Sequence, residues 1–228
     1  MNRALFNWSS GKDSALCLHK IIHEKSYKIE SLLTTISKEH QRVSMHGVSR
    51  DLVELQARRL GLPIDVIEIS DTGTTQDYEQ KITQTLTKHS HNGITHSIFG
   101  DIFLEDLRAY RESKLQQVDI KAVFPLWNVS TKQLLHEFVS LGFKAIITSV
   151  NETFLDASFA GRIIDENFIH DLPNNIDPCG EHGEYHSFVF DGPLFSEPIQ
   201  IQKREIIRKT YTVNNTEFGF WFCDLHAT

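Results

Sequence analysis

Six residues near the start of the chain, Ser9-Ser10-Gly11-Lys12-Asp13-Ser14, combine three hydroxyls, a glycine, an ammonium and a carboxylate. Those groups in that order suit a phosphate. Backbone N–H groups at a helix N-terminus lack partners inside the helix, and the helix dipole adds positive potential there. A glycine lets an anion approach the backbone closely, hydroxyls donate, and a lysine supplies a cation. Such a site needs a strand before it and a helix behind it. Ala4-Leu5-Phe6-Asn7-Trp8 reads as the buried strand, and Ala15, Leu18 and Ile22 recur at helical spacing. The loop is not a Walker A loop: Asp13 follows Gly11-Lys12, and Phe6 occupies the position where the first glycine would stand. The plainer alternative is an ordinary strand-to-helix turn capped by serine and aspartate.

A second unusual run is Asp177-Pro178-Cys179-Gly180-Glu181-His182-Gly183-Glu184-Tyr185-His186. Two glycines, two glutamates and two histidines fall within seven residues, just ahead of an apolar strand at Phe188-Val189-Phe190. The glycines suggest a backbone shaped for a ligand's approach. The acids could orient an amine or take a proton. Cys179, His182, Glu184 and His186 also invite a metal reading, but their spacing matches no common zinc motif. A purely structural turn is the third reading, and substrate handling is preferred over both.

The elements that must hold these residues follow from periodicity. Strands are expected at 29–36, 64–69, 97–101 and 122–124, with helices between them marked by Val48, Leu52 and Leu55, by Tyr78, Ile82 and Leu86, and by Leu104 to Leu115. Gly61 and Pro63 stop the second helix. The alternation predicts an α/β fold, a doubly wound parallel sheet, with ligands beyond the carboxyl ends of its strands. The loops after strands one, two and four, namely Ser9–Ser14, the stretch 41–48 with His46-Gly47, and Gly100-Asp101, are therefore expected to share one cleft. The charged helix after Gly100-Asp101 reads as a solvated face by its i, i+4 pairs, while its start beside the cleft makes Asp106, Arg111 and Glu112 candidates for contacting a substrate.

Past Pro125 the texture changes, so domains are expected at 1–125 and 126–228. The second, smaller unit is expected to be α/β as well. It should hold a helix capped at Ser130 or Thr131, a strand at 145–147, a helix at 163–172, and a hairpin of 206–213 and 218–222 turning at Asn214-Asn215. The aromatic tail Phe218-Gly219-Phe220-Trp221-Phe222 fits either a core or a homodimer interface. The chain of 228 residues carries 40% hydrophobic and 23% charged residues, which implies a packed core. No apolar run is long enough to span a bilayer and no signal peptide is evident, so a cytoplasmic protein with no membrane contact is expected. A net charge of -7 argues against nucleic acid as a main partner. Three widely separated cysteines, Cys17, Cys179 and Cys223, fit buried reduced thiols.

The loop at 9–14 matches the PP-loop pattern Ser-Gly-Gly-x-Asp-Ser, with Ser10 in place of the first glycine. Further matches are Met-His-Gly-Val at 45–48, Gln56-Ala57, Leu60-Gly61-Leu62-Pro63 and Gly100-Asp101-Ile102. Pro125-Leu126-Trp127, Asp177-Pro178-Cys179-Gly180-Glu181, Gly183-Glu184-Tyr185 and Asp191-Gly192-Pro193 complete the set. Together, in this order over about 3–200, they resemble the diphthine–ammonia ligase family of ATP pyrophosphatases. The resemblance implies a Rossmann-like nucleotide-binding domain of the HUP or PP-loop type and a smaller domain, with a cleft between. It implies ATP and Mg2+ as cofactors, and ammonia or another amine plus a carboxylate acceptor as partners. The acceptor would be activated by transfer of AMP with release of pyrophosphate, then amidated.

On that resemblance Ser9, Ser10, Gly11, Lys12, Asp13, Ser14, His46, Gly47, Gly100 and Asp101 would bind the nucleotide, with Asp13 on the metal. Lys12, Asp13, Glu181, Glu184 and His186 would be catalytic, and Asp106, Arg111, Glu112, Glu181 and Tyr185 would meet the acceptor. Two departures fall on the acceptor side. The ligases carry Gly-Glu-Gly-Gly-Glu-Tyr-Glu-Thr where this chain has Gly180-Glu181-His182-Gly183-Glu184-Tyr185-His186-Ser187. Phe103-Leu104-Glu105-Asp106-Leu107-Arg108 stands where they have a Ser-Asp-Tyr-Gln-Arg-like run. Both leave ATP use intact and bear on whether the acceptor is diphthine. Two rivals stand beside this reading: a non-catalytic nucleotide sensor, and a tRNA-modifying PP-loop enzyme, which the absence of cysteine pairs disfavours.

Overall fold

In the computed structural model, which describes residues 1–43, 46–213 and 216–228, strand β1 (Asn2–Asn7) leads through the serine-rich loop into helix α1 (Lys12–Glu24). There follow β2 (Tyr27–Ser37), α2 (Arg50–Leu60), β3 (Ile64–Ile69), α3 (Thr75–His91), β4 (His96–Ile98), α4 (Glu105–Gln116) and β5 (Lys121–Val123). The five strands form one parallel sheet in the order β3-β2-β1-β4-β5. Strand order therefore reverses between β1 and β4, and at that point the carboxyl ends part to leave a crevice.

Alternation along β1 explains why both faces of the sheet are covered. Ala4, Phe6 and Trp8 face Leu16, Leu18, Leu52 and Val53 of α1 and α2. Leu5 faces the other way, with Leu33 and Ile67, onto Leu86 of α3 and Leu115 of α4. Successive side chains of a strand point to opposite sides, so a strand buried on both faces is apolar throughout. The start of α3 is fixed by reciprocal bonds, Thr74 Oγ1 accepting from Asp77 N–H at 3.1 Å and Asp77 Oδ2 accepting from Thr74 N–H at 2.8 Å.

The second half carries α5 (Thr131–Ser140), β6 (Lys144–Asn151), a short turn of tight helix at Ala157–Phe159, α6 (Glu166–Asp171), β7 (Tyr185–Asp191), β8 (Ile201–Val213) and β9 (Thr216–Ala227). Its four strands make a second sheet, order β7-β6-β9-β8, in which the β6–β7, β6–β9 and β8–β9 pairs are antiparallel. Ser130 caps α5, its hydroxyl accepting from Gln133 N–H. One apolar core runs from Phe6 and Leu18 through Phe138 and Ile147 to Phe188 and Leu225, so the two sheets share buried surface through α1 and α5.

The helix expected over 163–172 is shorter than its pattern. Ile163 bridges Ile146, and Ile164 N–H donates to Ala145 O at 2.9 Å, so this stretch extends β6 laterally. Asp165 then caps a helix confined to Glu166–Asp171, accepting from Phe168 N–H at 2.8 Å. The hairpin strand β8 begins at Ile201, earlier than its apolar signal, and Phe220 is buried while Phe218 is exposed. The expected turn at Asn214-Asn215, and Ser44 and Met45 of the loop after β2, lie outside the described residues. Among the described residues, no helix is long and apolar enough to cross a membrane. All three cysteines are free and buried.

Candidate active site

At the end of β1 the chain turns sharply. Ser10 adopts φ 70°, a left-handed conformation, and Gly11 precedes the first residue of α1 in extended geometry. Ser9 Oγ lies 3.1 Å from Ser14 Oγ, and Ser14 Oγ donates to Gly11 O at 2.9 Å, which folds the loop over the helix start. Asn7 ties this loop to β4 by donating to Ser97 Oγ (2.8 Å) and Ile98 O (2.9 Å). Gly100 lets the end of β4 come against α1: a Cβ there would sit 3.2 Å from the Asp13 carbonyl and the Ser14 Cα.

The second run, at 177–186, is a loop knotted by its own carboxylates. Asp177 Oδ2 accepts from Cys179 N–H (3.1 Å) and Glu181 N–H (3.0 Å). Glu184, 2% exposed, accepts from Asp177 N–H with one oxygen (3.1 Å) and from His182 N–H with the other (3.0 Å). Lys12 reaches across to this loop. Its ammonium is buried, donates to Asp13 Oδ2 at 2.8 Å and to Cys179 O, and lies 5.0 Å from the centre of the Tyr185 ring. Burial is the largest single influence and opposes the charge, but Asp13, Tyr185 and Cys179 together outweigh it and hold the ammonium well above the ordinary lysine value. Lys12 thus fastens the first loop to the second rather than projecting freely into the cleft.

Four further acids and bases complete the arrangement. Glu181 Oε1 accepts from Ile102 N–H at 2.9 Å, which brings the second loop to the end of β4. Burial, with Asp13 and Asp101 adding to it against the pull of that N–H, pushes its carboxyl up to about 7. Asp101 is also raised, by burial and by Asp13, although Arg111 Nε lies 2.8 Å from its Oδ2. His46 and His186 stack with ring centres 4.3 Å apart. Burial and the nearby Lys12 lower His46 to about 4, and burial, His46 and Lys12 hold His186 well below the usual histidine value, so both rings are neutral.

These groups open on one cleft of about 470 Å³, within the size range of small-molecule sites. Of the residues singled out from sequence, Ser9, Gly11, Lys12, Asp13, Ser14, His46, Gly100, Asp101, Arg111, Glu181, Tyr185 and His186 line it. Ser10 and Gly47 lie behind the lining, Ser10 wholly buried and Gly47 against the Phe222 ring of β9. Glu184 sits inside the second loop with both oxygens committed to backbone. Asp106 and Glu112 are on the exposed side of α4, where Glu112 accepts from Arg108 Nε at 2.9 Å. Sequence reasoning passed over Asn7, Trp8, Ser187 and Tyr110, which also line the cleft. Ser187 Oγ accepts from Lys12 N–H at 3.2 Å, a contact that no local pattern signals.

The four side chains of the metal reading do not converge. Cys179 Sγ donates to Thr131 O, His182 lies by the Phe103 ring, His186 stacks on His46, and Glu184 is spent on backbone. Among the described residues, no group of three histidine, cysteine, aspartate or glutamate side chains is placed to hold a metal ion.

A model described as the diphthamide synthase N-terminal domain matches residues 2–122, and one described as the diphthamide synthase C-terminal domain matches 130–218. A diphthine–ammonia ligase of Schizosaccharomyces pombe is 27% identical over 178 residues, which is 71% of this chain and 29% of the yeast protein. Those of Bos taurus and Danio rerio are 25% and 27% identical, covering 87% of this chain and 82% and 86% of their own lengths. The chain thus spans less than a third of the yeast relative and most of the vertebrate ones. The solved tRNA thiolase NcsA of Methanococcus maripaludis is similar over 62% of this chain and 57% of its own, at 15% identity and a TM-score of 0.38. The two family models follow one another along nearly the whole length, with the serine-rich loop inside the first and the 177–186 loop inside the second, and the chain belongs to the diphthamide synthase family.

Proposed function

We propose that this protein is an ATP-dependent amide-forming ligase, with a nucleotide-binding unit at 1–125 and an acceptor-binding unit at 126–228. The observation that carries it is that the helix N-terminus at Gly11–Ser14 and the raised carboxyl of Glu181 open on the same cleft. One end offers backbone N–H groups and hydroxyls to phosphate, and the other offers a proton acceptor that works near neutral pH.

The chemistry follows from what a carboxylate lacks. Its charge and resonance resist attack by an amine. An acceptor carboxylate oxygen attacks the α-phosphorus of ATP, the bond to the β-phosphate oxygen breaks, and pyrophosphate departs with its negative charge. Ser9, Ser14 and the N–H groups at the start of α1 stabilise that charge as it builds. Ammonia then attacks the carbonyl carbon of the acyl-adenylate, a proton passes to Glu181, and AMP leaves. Lys12 keeps the two loops at a fixed separation through Asp13 and Cys179 O. A magnesium ion fits here only jointly with nucleotide: Asp13 offers one carboxylate at the cleft, and among the described residues no cage of protein ligands surrounds it. Bound there by Asp13 and phosphate oxygens, the ion would supply charge neutralisation.

The amine is ammonia, as in the diphthine–ammonia ligases to which the chain is similar. The acceptor is a carboxylate, and His186 marks where its selection differs from those ligases: a neutral imidazole replaces a carboxylate. The test is to incubate the protein with ATP, magnesium and ammonium chloride and a panel of carboxylic acids including diphthine-bearing protein. Acceptor-dependent release of AMP and pyrophosphate in equal amounts supports the reading. Release of ADP, or no acceptor-dependent AMP with any acid, refutes it.

A further inference from the structure

Gln56 of α2 is wholly buried, and its amide is fully used. Its Oε1 accepts the Trp8 indole N–H at 2.8 Å, and its Nε2 donates to Ser10 O at 3.0 Å and to Val189 O at 2.6 Å. The same Ser10 carbonyl accepts a second bond from Val189 N–H at 3.0 Å. One side-chain amide therefore joins the end of β1, the serine-rich loop, α2 and β7. Only a group with an acceptor and two donors at one tip can do this, which excludes glutamate and every apolar residue.

What the amide grips is strained. Ser10 is left-handed at φ 70°, and its buried hydroxyl has no hydrogen-bond partner among the described residues. Left to itself, a serine leaves that conformation. The consequence for the cleft follows from peptide planarity. The Ser10 carbonyl and the Gly11 N–H belong to one plane and point opposite ways. Holding the carbonyl toward α2 and β7 turns the Gly11 N–H to the other side, where it donates to Ser9 Oγ at 3.4 Å beside the cleft.

We propose that Gln56 is a positioning residue for phosphate binding: by clamping the Ser10 carbonyl it keeps the left-handed turn that aims the Gly11 N–H at the nucleotide. This rests on the nucleotide reading of the cleft given above.

The experiment compares Gln56→Met with the wild-type chain, measuring by calorimetry the affinities for ATP and for adenosine, which lacks phosphates. The same pair of measurements is made in a Ser10→Gly background, where glycine accepts the turn without help. Gln56→Met should weaken ATP by about tenfold while adenosine changes by less than about twofold, and Ser10→Gly should cut the ATP penalty to less than about threefold. Turnover should show a raised KM for ATP. Equal loss of ATP and adenosine binding, or a penalty unchanged by Ser10→Gly, overturns the proposal. If Gln56→Met does not fold, Trp8→Phe removes the indole N–H that orients the amide, together with part of the buried ring, and an unchanged ratio of ATP to adenosine affinity in it overturns the proposal equally. A wild-type chain that binds neither ligand defeats the nucleotide reading and this inference with it. One that binds both while Gln56→Met retains its ATP affinity defeats this inference alone.

Discussion

Replacing Glu181 with glutamine should make the protein more stable at alkaline pH and less active throughout. Burial is the main reason its carboxyl stands at about 7 instead of 4.5, with the Ile102 N–H pulling the other way and Asp13 and Asp101 pushing with it. Below pH 4.5 the group is protonated both folded and unfolded, and contributes nothing. Between 4.5 and 7 the unfolded chain gives up its proton while the folded one keeps it, so stability falls as pH rises. Above 7 the full cost remains. At about 1.4 kcal/mol per pH unit this comes to about 3 kcal/mol, reduced to about 2 kcal/mol by the part of the side chain that still meets water. Glutamine escapes the cost and still accepts the Ile102 N–H. Urea unfolding of the two proteins at pH 4, 6 and 8 should give a difference near zero at the first and about 2 kcal/mol at the last. In the wild type, acceptor-dependent AMP release should climb through pH 7, and the variant should lose about 100-fold or more. A stability difference that is the same at all three pH values would refute the account of Glu181.

Other consequences can be checked in the same preparations. Lys12→Met should lower pyrophosphate release by about 100-fold or more, because the two loops lose their tie and Asp13 its partner; burst measurements of pyrophosphate check this. His46 is held at about 4 by burial, below the 6.5 of an ordinary histidine, so its contribution to stability should be flat above pH 6.5 and fall as pH is lowered toward 4. His46→Asn should make that fall in denaturant midpoint shallower. Glu184→Gln sets an amide N–H against a backbone N–H in a buried loop and should cost about 2 kcal/mol in thermal unfolding.

Much of this site could be seen in the linear chain because its signals are local. The strand–loop–helix start needs only neighbours: Phe6 and Leu5 commit the strand, Ser9 to Ser14 the turn, and Ala15 and Leu18 the helix, although Ile22 of that pattern is exposed and Ile21 is buried instead. The order of strands and helices through β5 also follows from short-range periodicity, and so does the meeting of the loops after β1, β2 and β4 at one cleft. The helix at 166–171 is the counter-example. Its pattern looked longer, but Ile163 and Ile164 found strand partners at Ala145 and Ile146, and pairing with a buried strand outweighs local spacing.

What tertiary structure alone decided is which of the chemically able residues face the cleft and what charge they carry there. Glu181 and Glu184 are equivalent in the sequence, yet one lines the cleft with a carboxyl raised to about 7 and the other binds backbone N–H groups inside its loop. Lys12 meets Cys179, His46 meets His186 and Gln56 meets Val189, each from a distant part of the chain. Residue type and spacing fix what a side chain is able to do. Desolvation and long-range partners decide which of those abilities it keeps, because both depend on segments that come together only when the two sheets pack through α1.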